Sequence, residues 1–121
     1  MDELTKHERP WGYYEVLASD GMTQVKRLVV RDQQQLSYQS HAQRDEHWFC
    51  YDGYGLVTID GEERPFTHGD TLQILRGEKH RVKSLHGDLK FIEVQVGTYL
   101  GEDDIVRYED NYGRATSVGL D

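Results

Sequence analysis

The stretch Gln39–Gly53, QSHAQRDEHWFCYDG, decides how the chain folds. Its first ten residues hold two histidines, two acids, two glutamines and an arginine, and its second half turns apolar and aromatic. An apolar run that closes on Asp52-Gly53 reads as a strand entering a hairpin. Gln39 and His41 lie two apart, so on extended backbone they point to one side. Glu46 follows after a short connection, and His80 opens a later strand. Imidazole nitrogen with carboxylate and amide oxygens makes a mixed donor set that suits Zn²⁺, Mn²⁺, Fe²⁺, Co²⁺ or Ni²⁺. Taken alone, the same residues fit the polar rim of a sheet better than a metal site.

Working outward, short β-strands separated by turns dominate. Tyr13–Leu17, Thr23–Val30, His47–Tyr51, Gly55–Ile59, Asp70–Leu75, His80–Leu85 and Leu89–Val96 read as strands. Ser19-Asp-Gly21, Asp60-Gly61, His68-Gly-Asp70 and His86-Gly-Asp88 supply turn signals between them. Turns every ~8–12 residues predict an all-β sandwich or barrel. The helical signal is weak, with Gly101–Ile105 as its best short candidate. In Leu89–Val96, Ile92, Val94 and Val96 share one face, while Leu89, Phe91, Glu93 and Gln95 share the other. The mixed face suits a wet cavity or solvent; the apolar stripe suits the core or a contact with a second copy.

The 121 residues suit one domain, 1–121, long enough to bury a core. A net charge of −8 argues against nucleic acid or an anionic membrane as partner, so an anionic small molecule would need a local cluster of cations. Cys50 is the single cysteine and lies in the apolar run, which predicts a buried, inert thiol and no intrachain disulfide. The N-terminus has no apolar leader and no window approaches a membrane span, so the expected compartment is the cytoplasm.

From Gln39 the chain follows Q-x-H-x₄-E-x₆-G, and Gly69-x₅-Leu75-x-Gly77-x₂-His80-x₃-Ser84 repeats a second spacing. The two blocks resemble the paired motifs of the cupin superfamily, G-x₅-H-x-H-x₃₋₄-E-x₆-G and G-x₅-P-x-G-x₂-H-x₃-N. Gln39 stands where the first cupin histidine stands, and Gln33, Leu75 and Ser84 replace the glycine, proline and asparagine. The resemblance implies a double-stranded β-helix, or jelly-roll barrel. It also implies one divalent metal ion, zinc first, held by Gln39, His41, Glu46 and His80.

A closer resemblance rests on Arg9-Pro-Trp-Gly12, Val25-Lys26, Leu36-Ser-Tyr-Gln-Ser-His41, Arg44-x-Glu-His-Trp48, Gly77-x₂-His-Arg81, the run Ile92–Arg107 and Asp110-x-Tyr-Gly-Arg114. In this order, over about residues 9–114, they resemble the cupin domain of type II mannose-6-phosphate isomerases. That domain often follows a mannose-1-phosphate guanylyltransferase in one bifunctional chain. The sequence has no Gly-rich nucleotide loop, so only isomerase activity is expected here.

The resemblance implies a sugar-phosphate ligand and a homodimer. It suggests that Arg44 serves catalysis or the substrate's charge, since a guanidinium fork matches phosphate or enediolate oxygens. A surface ion pair with Asp45 or Glu46 is the plainer reading of Arg44. Glu93, His80, Glu46 and Lys79 are candidates for the base, with Glu93 preferred. Lys79, Arg81, Arg107 and Arg114 are candidates for the phosphate, and Tyr99 and Tyr112 for the pocket mouth. Arg9–Gly12 is expected to plug one end of the barrel.

Overall fold

The computed structural model describes residues 5–112. Eleven strands are present among them: β1 Lys6–Arg9, β2 Gly12–Ser19, β3 Thr23–Val30, β4 Tyr38–Ser40, β5 Arg44–Asp52, β6 Tyr54–Ile59, β7 Glu62–Thr67, β8 Thr71–Ile74, β9 His80–Ser84, β10 Leu89–Gly97 and β11 Val106–Glu109. They form a six-stranded sheet, ordered β1-β2-β3-β10-β5-β8, and a five-stranded sheet, ordered β11-β4-β9-β6-β7. The pairings within both are antiparallel.

The seven expected strands are present with ends shifted by a few residues. β1, β4, β7 and β11 were not expected. β7 escapes pattern reading because Glu62, Glu63, Arg64 and Pro65 are all exposed and only Phe66 is buried. Proline and charge are tolerated there because β7 is an edge strand. Gly101–Ile105, the best short candidate for a weak helical signal, is a turn, closed by Asp104 N donating to Gly101 O at 3.2 Å. Its acidic side chains are spent on ties to other segments instead.

Strand alternation divides the interior into an apolar and a polar end. On β5 the inward residues run Arg44, Glu46, Trp48, Cys50, and on β10 they run Gln95, Glu93, Phe91, Leu89. On β3, Lys26 precedes Leu28 and Val30 on the buried side. Trp48 packs on Phe91 with centroids 4.6 Å apart, and Phe66 reaches both rings. Each such buried side chain stabilises the fold by roughly 1.5–3 kcal/mol. Cys50 is buried in this core, as expected, and burial pushes its thiol pKa up. The stripe Ile92, Val94 and Val96 is not core; it lies on the outer face of the six-stranded sheet, with Val96 43% exposed.

The departures from the cupin motifs have local explanations. Gln33, at the glycine position, adopts φ +64°, the left-handed region that glycine favours, and its side chain is anchored on Leu85 O. Leu75, at the proline position, uses the N–H that proline lacks to bond Glu78 Oε1 at 2.6 Å. Ser84 Oγ donates to Gly87 O within the turn before β10.

Candidate metal centre and cavity

The polar end of the barrel is a cavity of about 550 Å³ including its opening. Strands of both sheets converge on it. β4 brings Gln39, which pairs directly with His80 of β9 across the five-stranded sheet. β5 brings Glu46, opposite Gln95 of β10 in the other sheet, and β10 adds Glu93, opposite Lys26 of β3. His41 follows β4 and is joined to the second motif by Gly77 N donating to its carbonyl at 2.9 Å.

His41, Glu46 and His80 place one ligand atom each within 4.8 Å of one another, all buried. Each histidine points Nδ1 at a backbone carbonyl, His41 at Asp104 O (2.7 Å) and His80 at Glu78 O (3.0 Å). With Nδ1–H donating there, the Nε2 lone pairs face the Glu46 carboxylate, at 3.4 and 3.9 Å. Burial lowers the His41 pKa to about 4 and also lowers that of His80, which favours the neutral, ligating imidazole. Burial opposes charge on Glu46, yet the Arg44 guanidinium beside it holds it ionised, below the usual carboxylate range. Gln39 lines the same cavity and donates Nε2 to Ser37 O at 3.3 Å, which leaves its amide oxygen for a ligand role. Neutral imidazoles, an ionised carboxylate and an amide oxygen fit a borderline divalent cation.

Arg44 is buried rather than on the surface, and its Nε donates to Glu46 Oε2 at 2.8 Å. Asp45 pairs with Arg76 instead. Arg44 Nη1 is buried with no hydrogen-bond partner, an unspent donor in the cavity wall. Burial works against its charge, but Glu46 and Glu93 outweigh that and raise its pKa. Glu93 behaves oppositely. Burial and the neighbouring Glu46 raise its pKa to about 8, and Gln95 Nε2 donates to its Oε2 at 2.6 Å.

The expected cations divide. Arg107 lines the cavity, whereas Lys79 and Arg81 do not. Lys79 lies over the Tyr108 ring and Arg81 over the Tyr38 ring, with Arg81 also paired to Glu109. Arg81 follows the outward direction of the strand that buries His80, and Lys79 lies just before that strand. Tyr99 is 42% exposed and bonded to Asp103, outside the cavity lining. Tyr112 packs against the core and donates to Gln34 Oε1 at 2.6 Å, which ties down the end of the described chain. Arg114 lies outside the described residues. Arg9 and Trp11 line the cavity, consistent with a plug at the barrel end. Lys26, Glu102 and Asp104, which belong to the stretches that carry the family resemblance, were given no site role. Lys26 was legible as the charged member of the buried alternation Lys26, Leu28, Val30; the two acids lie in the turn at Gly101–Ile105.

The two sheets and the buried His/Glu/His cluster define a cupin jelly roll with a candidate metal centre. Solved structures share this fold. KdgF from Halomonas sp. aligns with TM-score 0.75 and 16% identity, over 84% of this chain and 90% of its own. Oxalate decarboxylase from Bacillus subtilis aligns with TM-score 0.74 and 14% identity, over 87% and 30%. The family described as mannose-6-phosphate isomerase C-terminal matches residues 1–110, and the chain belongs to that family. Among its relatives, the mannose-1-phosphate guanylyltransferase of Salmonella montevideo is 42% identical over 93% of this chain and 25% of its own length. The xanthan biosynthesis protein XanB of Xanthomonas campestris pv. campestris (strain B100) is 45% identical over the same shares. The alginate biosynthesis protein AlgA of Pseudomonas fluorescens is 42% identical over 91% and 23%. The chain thus spans about a quarter of these relatives. Among the described residues, no helix is long and apolar enough to cross a membrane.

Proposed function

We propose that the chain is a metal-dependent isomerase that interconverts mannose 6-phosphate and fructose 6-phosphate. The observation that carries this reading is one cavity joining the ligand cluster, an arginine donor without a partner and a carboxyl group whose pKa is raised to about 8. Family membership supports a mannose-type sugar as substrate; the guanylyltransferase activity in a relative's name belongs to a much longer chain.

Gln39, His41, Glu46 and His80 would hold the ion. When bound, a divalent cation supplies Lewis acidity and a template for two adjacent sugar oxygens. The chain's own groups do the rest. Glu93, whose carboxyl gains and loses a proton near neutral pH, moves the proton between C1 and C2. His80 and Glu46 are committed to the cluster and Lys79 is outside the cavity, so Glu93 is the base these contacts favour. Arg44 Nη1 donates to the sugar oxygen that becomes anionic as the proton leaves carbon. Arg9, Lys26 and Arg107 line the same cavity and offer charge for the phosphate.

The test is turnover of mannose 6-phosphate by the protein as isolated, after chelation, and with Zn²⁺, Co²⁺, Mn²⁺ or Ni²⁺ restored. Loss on chelation and recovery with metal is the expected result. No turnover in a folded, metal-loaded protein overturns the reading in favour of binding without turnover or another sugar. A homodimer belongs to the proposal, supported by the exposed apolar outer face around Phe49 and Val96, and sedimentation would test it.

A further inference from the structure

Lys26 is 3% exposed, and its ammonium makes an ion pair with Glu102 at 2.5 Å while lying 4.3 Å from the Tyr14 ring centroid. The partners differ sharply, since the Glu102 side chain is 53% exposed. A buried ammonium needs a counter-charge, whereas a half-exposed carboxylate can return to water at little cost.

The cavity wall repeats this asymmetry. Arg9, Lys26, Arg44 and Arg107 line it with three carboxylates, Glu46, Glu93 and Glu102. Glu46 and Glu93 are 1% and 5% exposed and belong to the interior, so Glu102 is the one lining carboxylate that can leave. With Glu102 gone, the lining holds four cations against two acids, on a protein of net charge −8. Arg9 adds a second cation beside the same ring, 5.1 Å from the Tyr14 centroid, with Nη2 donating to the Tyr14 hydroxyl at 3.2 Å.

We propose that Lys26 anchors an anion subsite where the cavity meets solvent, that Glu102 fills it as an internal carboxylate, and that the substrate's anionic group displaces Glu102. The proposal rests on the sugar-phosphate reading for its ligand, but the subsite itself requires only a small oxyanion. A phosphate brings more acceptor oxygens than a carboxylate and reaches Arg9 along with Lys26, so exchange favours the ligand. Glu102 keeps Lys26 paired while the cavity is empty, and a neutral sugar, which cannot displace it, is rejected.

Calorimetric titration of the full chain with inorganic phosphate, mannose 6-phosphate and mannose tests this, with and without metal. In Glu102→Gln the internal competitor is weakened, and affinity for phosphate and mannose 6-phosphate rises about tenfold, the scale of one charge-assisted hydrogen bond. Affinity for mannose stays unchanged. Lys26→Gln weakens both anions by about tenfold or more. Because replacing buried Lys26 endangers the fold, Glu102→Gln is the deciding variant. Unchanged or weaker phosphate binding in folded Glu102→Gln overturns the subsite, as does anion binding that disappears wholly with the metal. Tighter phosphate binding without isomerase turnover keeps the subsite and discards the isomerase. Turnover with unaltered phosphate affinity does the reverse.

Discussion

Trp48 Nε1 donates to Glu46 Oε1 at 2.9 Å from the next inward position of the same strand. The Trp48 ring is held by Phe91 and Phe66, so core packing fixes how a candidate metal ligand is aimed. Trp48→Phe keeps most of the packing and removes the donor. Metal affinity should fall about 10–100-fold, as when other outer-shell partners are lost. Stability should fall by about 1–3 kcal/mol, because a buried carboxylate oxygen loses a partner. Competition with a chromophoric chelator and urea unfolding measure the two effects. Unchanged metal affinity would sever the link between core and site.

Asp104 makes a second support. Its carboxylate accepts from Ala42 N and Gln43 N, both at 2.9 Å, while its carbonyl receives His41 Nδ1. Asp104→Ala releases the turn that holds this carbonyl and should weaken metal binding by about tenfold or more. Asp104→Asn keeps an acceptor oxygen and should restore most of the loss. Equal affinities in all three proteins would show that His41 is oriented without Asp104.

Much of this site was legible because ligand spacing and strand parity are local properties. Gln39, His41, Glu46 and His80 line one cavity, as the cupin resemblance implied, and Glu93 faces it because Phe91 and Leu89 continue the same face into the core. Lys79 and Arg81 show where the reasoning stops. They adjoin His80 in sequence, yet Arg81 must point opposite to His80 on β9, and Lys79 lies in the link just before that strand begins. Asp104 and Glu102 act through long-range contacts, on segments some 60 and 76 residues away, that no short pattern encodes.

The metal-free protein should be most stable near pH 6.5. Below that, unfolded His41 binds a proton that folded His41, with its pKa lowered to about 4, refuses, so stability falls with falling pH. His80, also lowered, adds to the same slope. Glu93 acts in the other direction. Its folded pKa, raised from 4.5 to about 8, contributes stability that is full below 4.5 and is lost as pH rises through 8. Between pH 6.5 and about 8 this second effect dominates. Glu93→Gln should therefore turn the decline into a plateau, as read from urea unfolding of chelated protein between about pH 5 and about pH 9. A decline that survives in Glu93→Gln would assign the titration to another group.

Gly97 faces Arg44 across the β10–β5 pair, and a Cβ there would lie 2.2 Å from Gln43 O and 2.8 Å from Arg44 Cα. Both are backbone atoms, so no rotamer change relieves the collision. Gly97→Ala must push β5 away from β10 where Arg44 begins its reach to Glu46. The expected cost is about 1–3 kcal/mol, the usual penalty for overpacking a tight site. The displacement should also lower kcat for mannose 6-phosphate more than it raises KM, because Arg44 Nη1 is assigned to the oxygen that gains charge after binding. Thermal unfolding and steady-state kinetics on one preparation separate the outcomes. A destabilised enzyme with unchanged kcat would leave the close approach as a packing feature and remove Arg44 from the chemical step.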